Sequence, residues 1–125
     1  MTDYLFVSEE LKDGMLNIKF LEKYELVGLM SIYLPPVVTS NRYTYVEIRV
    51  DEIDKTYDNP NRVLDTLCFN KTKDFFQKKE NVHIFWQKID SSNNELNLKF
   101  VDEYGHPILL DQNDYSKVNL TLALQ

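Results

Sequence analysis

Strict alternation of apolar and polar residues in the last thirty or so positions constrains this chain more than any other feature. Leu96, Leu98 and Phe100 fall on one side of one run, and Val118, Leu120, Leu122 and Leu124 on one side of the next. Successive residues of an extended strand point to opposite faces, so both runs are expected to be half-buried strands. The turn-forming residues Asp102 to Pro107 lie between them. A chain that ends in this way, with no catalytic constellation elsewhere, is expected to be a building block or a binding module.

The same period recurs upstream. After a polar opening, Leu16, Ile18 and Phe20 alternate, as do Val46, Ile48 and Val50, with Tyr43, Tyr45, Glu47 and Arg49 on the opposite face. Residues 26–34 are apolar on both faces, which predicts a central, doubly covered strand, and Pro35 and Pro36 end it because proline cannot donate to a ladder. Residues 62–69 and 82–89 are expected to be strands, with a strong turn signal at 90–94. Residues 107–110 could add a short strand. A short helix is credible only over Lys71 to Lys79, with Phe75 and Phe76 as its apolar contribution. The spacing predicts about eight strands in an antiparallel sandwich or barrel, because no crossover βαβ unit is supported.

At 125 residues the chain fits a single domain. The formal net charge is −6, and the one basic cluster, Lys71, Lys73, Lys78 and Lys79, is interrupted by Asp74 and Glu80. No nucleic-acid partner is expected, since phosphate binding needs concentrated positive charge. The single cysteine, Cys68, cannot form an intramolecular disulfide; it is expected to be a small buried hydrophobe in a protein made in a reducing compartment. The N-terminus has no secretory signal pattern and no apolar run is long enough to span a bilayer, so a soluble chain without membrane insertion is expected.

Chemistry finds little foothold. Asp51, Glu52, Asp54 and Asp58 could offer oxygen ligands to a hard cation, but the stretch lacks the glycine and glutamate that an EF-hand loop requires, and a solvated loop is the simpler expectation. Asp102, Glu103, Asp111 and Asp114 form a second acidic group to which the same applies. The two histidines, His83 and His106, are too few for a zinc site. There is neither a Gly-x-Ser-x-Gly elbow nor a glycine-rich phosphate loop. No enzyme activity and no cofactor are expected. The outward aromatics Tyr43, Tyr45 and Phe85, together with Asp51, Asp54 and Asp58 in the 51–62 loop, are the candidate interface residues.

Three segments, taken in order, resemble the jelly-roll capsid proteins of double-stranded DNA viruses: large eukaryotic DNA viruses, virophages and Polinton-like elements. The first is residues 24–36, with Val27-Gly-Leu followed by Ile32-Tyr-Leu-Pro. The second is residues 45–53 with the later Val63-Leu-Asp-Thr-Leu, and the third is residues 95–108 with the closing Val118-Asn-Leu-Thr-Leu. The resemblance implies a single jelly roll acting by self- or hetero-assembly as a minor capsid or cementing component of a virion. Its implied partners are copies of itself or other capsid proteins, and it implies no cofactor and no catalytic residue. The alternative is a sandwich binding module of the tail-fibre, adhesin or carbohydrate-recognition type, using the 51–62 loop. A small hydrolase is a third and weaker reading.

Overall fold

A computed structural model describes residues 1–35, 45–68, 77–90, 94–108 and 117–125. These residues form nine strands: β1 (Asp3–Glu10), β2 (Met15–Lys19), β3 (Leu26–Leu34), β4 (Tyr45–Val50), β5 (Val63–Cys68), β6 (Gln77–Glu80), β7 (Gln87–Lys88), β8 (Glu95–Val101) and β9 (Lys117–Leu124). No helix occurs among them. One sheet has the order β1-β9-β3-β6, with β7 also pairing β3, and the other has the order β2-β8-β4-β5.

This order has a simple origin. The innermost hairpin, β4 with β5, is followed outward by β3 with β6, then β2 with β8, then β1 with β9, and every pair is antiparallel. The chain is thus one long folded hairpin rolled so that successive pairs fall in alternate sheets. The added pairings β3 with β9 and β4 with β8 lock the roll. That is the jelly-roll arrangement of two antiparallel sheets packed face to face. The alternating runs at 95–101 and 117–124 therefore lie in opposite sheets, and their inward side chains meet across the core.

Leu96, Leu98 and Phe100 of β8 and Val118, Leu120, Leu122 and Leu124 of β9 are all buried in one cluster with Leu16, Ile18, Val46, Ile48 and Val50. A fixed register keeps every apolar set inward, since a slip by one residue would turn it to solvent. Residues 13 and 14 make the reversal from β1 into β2: both have positive φ, 53° and 75°, and Lys12 and Met15 exchange backbone hydrogen bonds of 3.1 and 3.0 Å. An Asp-Gly pair suits such a turn, because the second residue carries no Cβ to oppose that backbone.

Several expectations change. The polar opening contains β1, a full strand. The 82–89 run supplies only the two residues of β7, since residues 82–86 leave the ladder. Gln77–Glu80 is strand β6 where the end of a helix was expected, because its backbone pairs with β3 from Ser31 to Leu34. The remainder of that expected helix, including Phe75 and Phe76, lies outside the described residues. Past the 102–106 turn, residue 107 forms an isolated bridge to Val101. Cys68 is exposed, not buried. It lies opposite Tyr45, two places beyond Thr66, which pairs Glu47, and so shares their outward parity.

Near the open ends of β1 and β3 the Tyr24 hydroxyl donates to Asp3 Oδ2 at 2.8 Å, and the Tyr24 ring meets Phe20 edge to face at 5.3 Å. The hydrogen bond to Asp3, partial burial and the nearby carboxylate charge push the Tyr24 phenol up to about 12. A raised phenol pKa means that this contact contributes fully below pH 10, the ordinary value, and is lost as pH rises through about 12. Spectrophotometric titration near 295 nm is expected to show one late-ionising tyrosine that returns toward the ordinary range in Asp3→Asn. An unshifted curve in that variant would contradict the assignment.

Candidate functional site

The outward faces of the two sheets differ in chemistry. On the β2-β8-β4-β5 sheet the outward side chains pair among themselves. Asn17 donates to Glu95 Oε2 at 3.0 Å and to Asn97 Oδ1 at 2.8 Å, Lys99 meets Asp51 at 3.1 Å, and Arg49 meets Glu47 at 3.2 Å. Glu52 accepts from both the backbone and the side-chain amide of Asn97, at 2.5 and 2.9 Å. This face is mostly polar, although Met15 is 46% exposed at its β2 edge and the buried Arg49 Nε has no hydrogen-bond partner among the described residues.

The face of the β1-β9-β3-β6 sheet differs. Register places Tyr4 beside Ala123 and Gly28, Phe6 beside Thr121 and Ser31, and Ser8 beside Asn119 and Tyr33. Tyr4, Phe6, Met30 and Tyr33 remain 59%, 66%, 41% and 38% exposed. These side chains share the outward face with Ser8, Ser31, Asn119, Thr121 and the Lys78–Glu80 ion pair, so the face is mixed, with its exposed aromatics gathered on β1 and at Tyr33.

The segment between β6 and β7 covers one end of that face. A Cβ on Gly28 would overlap Ile84 Cγ2 and come within 3.3 Å of the Phe85 carbonyl, so glycine permits the close approach. Ala123, also outward in register, is fully buried yet outside the main core cluster, which marks the covered end. The expected double covering of residues 26–34 therefore holds for Val27–Leu29 and fails beyond, where Met30 and Tyr33 are open. Phe85 itself, 70% exposed, adds an exposed aromatic past the cover.

At the other margin, β5 and β6 close the sandwich with buried or half-buried polar groups. Asp65 points inward in register with Ile48, and Lys79 inward with Ile32. Lys79 Nζ meets Asp65 Oδ1 at 2.6 Å, and Asn81 Nδ2 donates both to Asp65 Oδ2 at 2.7 Å and to the Leu29 carbonyl at 2.8 Å. Inward-pointing charges of this kind deter further strands from adding to a sheet edge. Of the basic cluster, Lys78 pairs with Glu80 and Lys79 with Asp65, so both described lysines carry local pairing.

The candidate residues separate in space. Tyr45 is half-buried on the largely polar sheet, Phe85 sits over the other, and Tyr43 lies outside the described residues. The 51–62 loop is tied down rather than open. Ile53 is buried and bridges Ile89, the Asp54 N–H donates to the Lys88 carbonyl at 2.9 Å, and the Asn59 side chain both donates to and accepts from the Val63 backbone at 2.9 Å. Asp51 pairs with Lys99, whereas Asp58 is exposed at the tip beside Tyr57, which is 99% exposed. Among the described residues no three His, Cys, Asp or Glu side chains gather as metal ligands.

Asp102 departs from the expected solvated acidic group. It is 4% exposed, and one oxygen, Oδ1, accepts from the backbone N–H groups of Tyr104 and His106 at 2.8 and 2.9 Å. It fixes the turn after β8. His106 is exposed, with Nδ1 3.9 Å from the other Asp102 oxygen. Asp111 and Asp114 lie outside the described residues.

Sequence reasoning missed Tyr4, Phe6, Met30 and Tyr33. The signal was present in β1, where Leu5 and Val7 alternate with Tyr4 and Phe6: both parities are apolar, so one set must face away from the core. Fold and site together define a jelly-roll β-sandwich with one largely polar face and one mixed face that carries exposed Tyr4, Phe6 and Tyr33. No protein-family model and no curated protein sequence matches the chain. Among the described residues no helix is long and apolar enough to cross a membrane.

Proposed function

We propose that this chain is an assembly subunit, a jelly-roll structural component of a virion that acts by joining copies of itself or other capsid proteins. The observation that carries the reading is the exposure of Tyr4, Phe6, Met30 and Tyr33 on one sheet, while on the other most outward polar groups pair among themselves. Exposed aromatic and methionine side chains are the chemistry that protein contacts bury. The rolled strand order supports the same reading, as do the segments that resemble viral capsid proteins, which fall on β3, on β4 with β5, and on β8 with β9. Fold alone does not assign function, so the face and not the topology bears the weight.

A second reading draws on Tyr57. A fully exposed aromatic on a loop held by Asn59 and Arg62 is a fitting platform for a sugar ring, as in a carbohydrate-recognition module. Size-exclusion chromatography with light scattering, run beside a glycan array, separates the two. The assembly reading expects concentration-dependent association and no glycan signal. A chain that stays at 14.8 kDa and binds glycans, with binding lost in Tyr57→Ala, would transfer the assignment to the module.

A further inference from the structure

Besides the two-residue β7, four strands of this sandwich lie at sheet edges among the described residues, and they are not equally protected. β6 carries Lys78 and Lys79, β5 has a register shift and the inward Asp65, and β2 carries Lys19. These are devices that blunt a sheet edge against added strands. β1 carries Asp3, Glu9 and Glu10 toward its ends, but between Tyr4 and Ser8 it has no charge, no proline and no bulge, with an unbroken eight-residue register to β9 and, among the described residues, no neighbour on its other side. Beside it, an open groove runs between Leu5, Phe6 and Val7 of β1 and Asn17, Ile18 and Lys19 of β2. Leu5 points inward yet is only partly covered by the core cluster. The sandwich is thus unfinished at this margin, both in backbone pairing and in packing.

We propose that β1 is the edge through which two copies of this chain join, antiparallel about a two-fold axis at Leu5, so that two sheets become one. This deepens the assembly reading and rests on it. The occupant is a second copy because the strand is complementary to itself in one register. Centred on Leu5, Leu5 meets Leu5, Tyr4 meets Phe6 twice on the outer face, and Asp3 meets Val7. Inward residues then face inward residues, as a shared sheet requires. Aromatic cross-strand pairs stabilise such ladders, and like charges placed opposite destabilise them.

Charge and aromatic pairing select against the neighbouring registers. Centring on Phe6 sets Asp3 against Glu9 twice, and centring on Val7 sets Leu5 against Glu9 and Tyr4 against Glu10. Centring on Tyr4 also separates the carboxylates but keeps a single aromatic pair, Tyr4 with Tyr4, so the Leu5 register is the one that keeps every carboxylate of β1 away from another with two aromatic pairs. In the Leu5 register, the added strand brings a second Leu5 to the groove between β1 and β2. The exposed aromatics of the outer face also come together across the axis, through Tyr4 and Phe6 of both copies.

The test uses the full chain and sedimentation equilibrium. Tyr4 and Phe6 are 59% and 66% exposed, so replacing them leaves the core intact; unchanged circular dichroism and urea midpoint verify this. Tyr4→Lys with Phe6→Lys places lysine opposite lysine twice and is expected to weaken dimerisation on the order of a hundredfold. Tyr4→Glu with Phe6→Lys in one chain places opposite charges together only in the Leu5 register, and its dimer is expected to persist. Association of the lysine variant equal to the parent's, or loss of association in both folded variants, overturns the proposal. A parent chain that stays monomeric overturns it as well, whereas recovery of the chain in purified particles decides the assembly reading separately.

Discussion

Phe100→Ala is expected to destabilise the domain by about 3–5 kcal/mol, the largest loss from any single side chain considered. Phe100 is fully buried on β8, and its backbone also joins two other parts of the fold. Its N–H donates to the Gly14 carbonyl at 2.8 Å, and its carbonyl accepts from Ile108 at 3.0 Å. Truncation removes the transfer free energy of the ring and leaves a cavity that the surrounding strands cannot close, because both sheets are held by ladders on either side. Natural domains are stable by only about 5–15 kcal/mol, so this change consumes a large share. Thermal melting is expected to fall by roughly 10–20 °C. Phe100→Leu, which keeps most of the volume, should cost much less. Equal small losses for both variants in urea titrations would show that Phe100 does not occupy the centre of the core.

The second large effect concerns Asp102. Asp102→Ala is expected to cost about 2–4 kcal/mol, because the N–H groups of Tyr104 and His106 lose the one oxygen that accepts from both. Asp102→Asn retains an oxygen at the Oδ1 position and is expected to lose about half as much, the difference reflecting charge rather than geometry. The effect should appear in hydrogen exchange as well as in stability. Amides of residues 104 and 106 should exchange much faster in the alanine variant, while those of β4 should change only with global stability. If the alanine and asparagine variants match the parent, the carboxylate is an incidental surface group despite its burial.

Where the inward set was apolar and the outward set polar, the strand pattern was readable. β2, β4, β8 and β9 follow alternation to within a residue or two, because each has one face on the core. β1 escaped because Tyr4 and Phe6 are as apolar as Leu5 and Val7, which hides the period. β6 escaped for the opposite reason: its lysines carry no apolar stripe, and it is strand because the exposed edge of β3 supplies hydrogen-bonding partners. Residues 82–86 look like a strand by composition, yet Ile84 lies over Gly28, a placement decided by the glycine some fifty residues earlier. Such long-range pairing leaves no local trace.

Site residues were readable to a similar extent. Phe85 drew notice as an aromatic in an apolar run, and it is 70% exposed beside the cover over Gly28. The 51–62 loop drew attention through its acids, but Asn59 and Ile53, which hold it, are the residues that define its shape. The mixed face with its exposed aromatics could not be read, because it needs the register of β1, β9 and β3, and only pairing brings Tyr4, Phe6 and Tyr33 into adjacent rows.

The proposed role of this chain is to be built into something larger, a claim that rests on the exposure of Tyr4, Phe6, Met30 and Tyr33 on one sheet face. Peptide mass spectrometry of virus-like particles purified from the source organism tests that claim most directly. The account predicts that peptides of this chain co-purify with the major shell proteins at a constant ratio through a density gradient. Their absence from particles, with the chain recovered only in the soluble fraction, would contradict it.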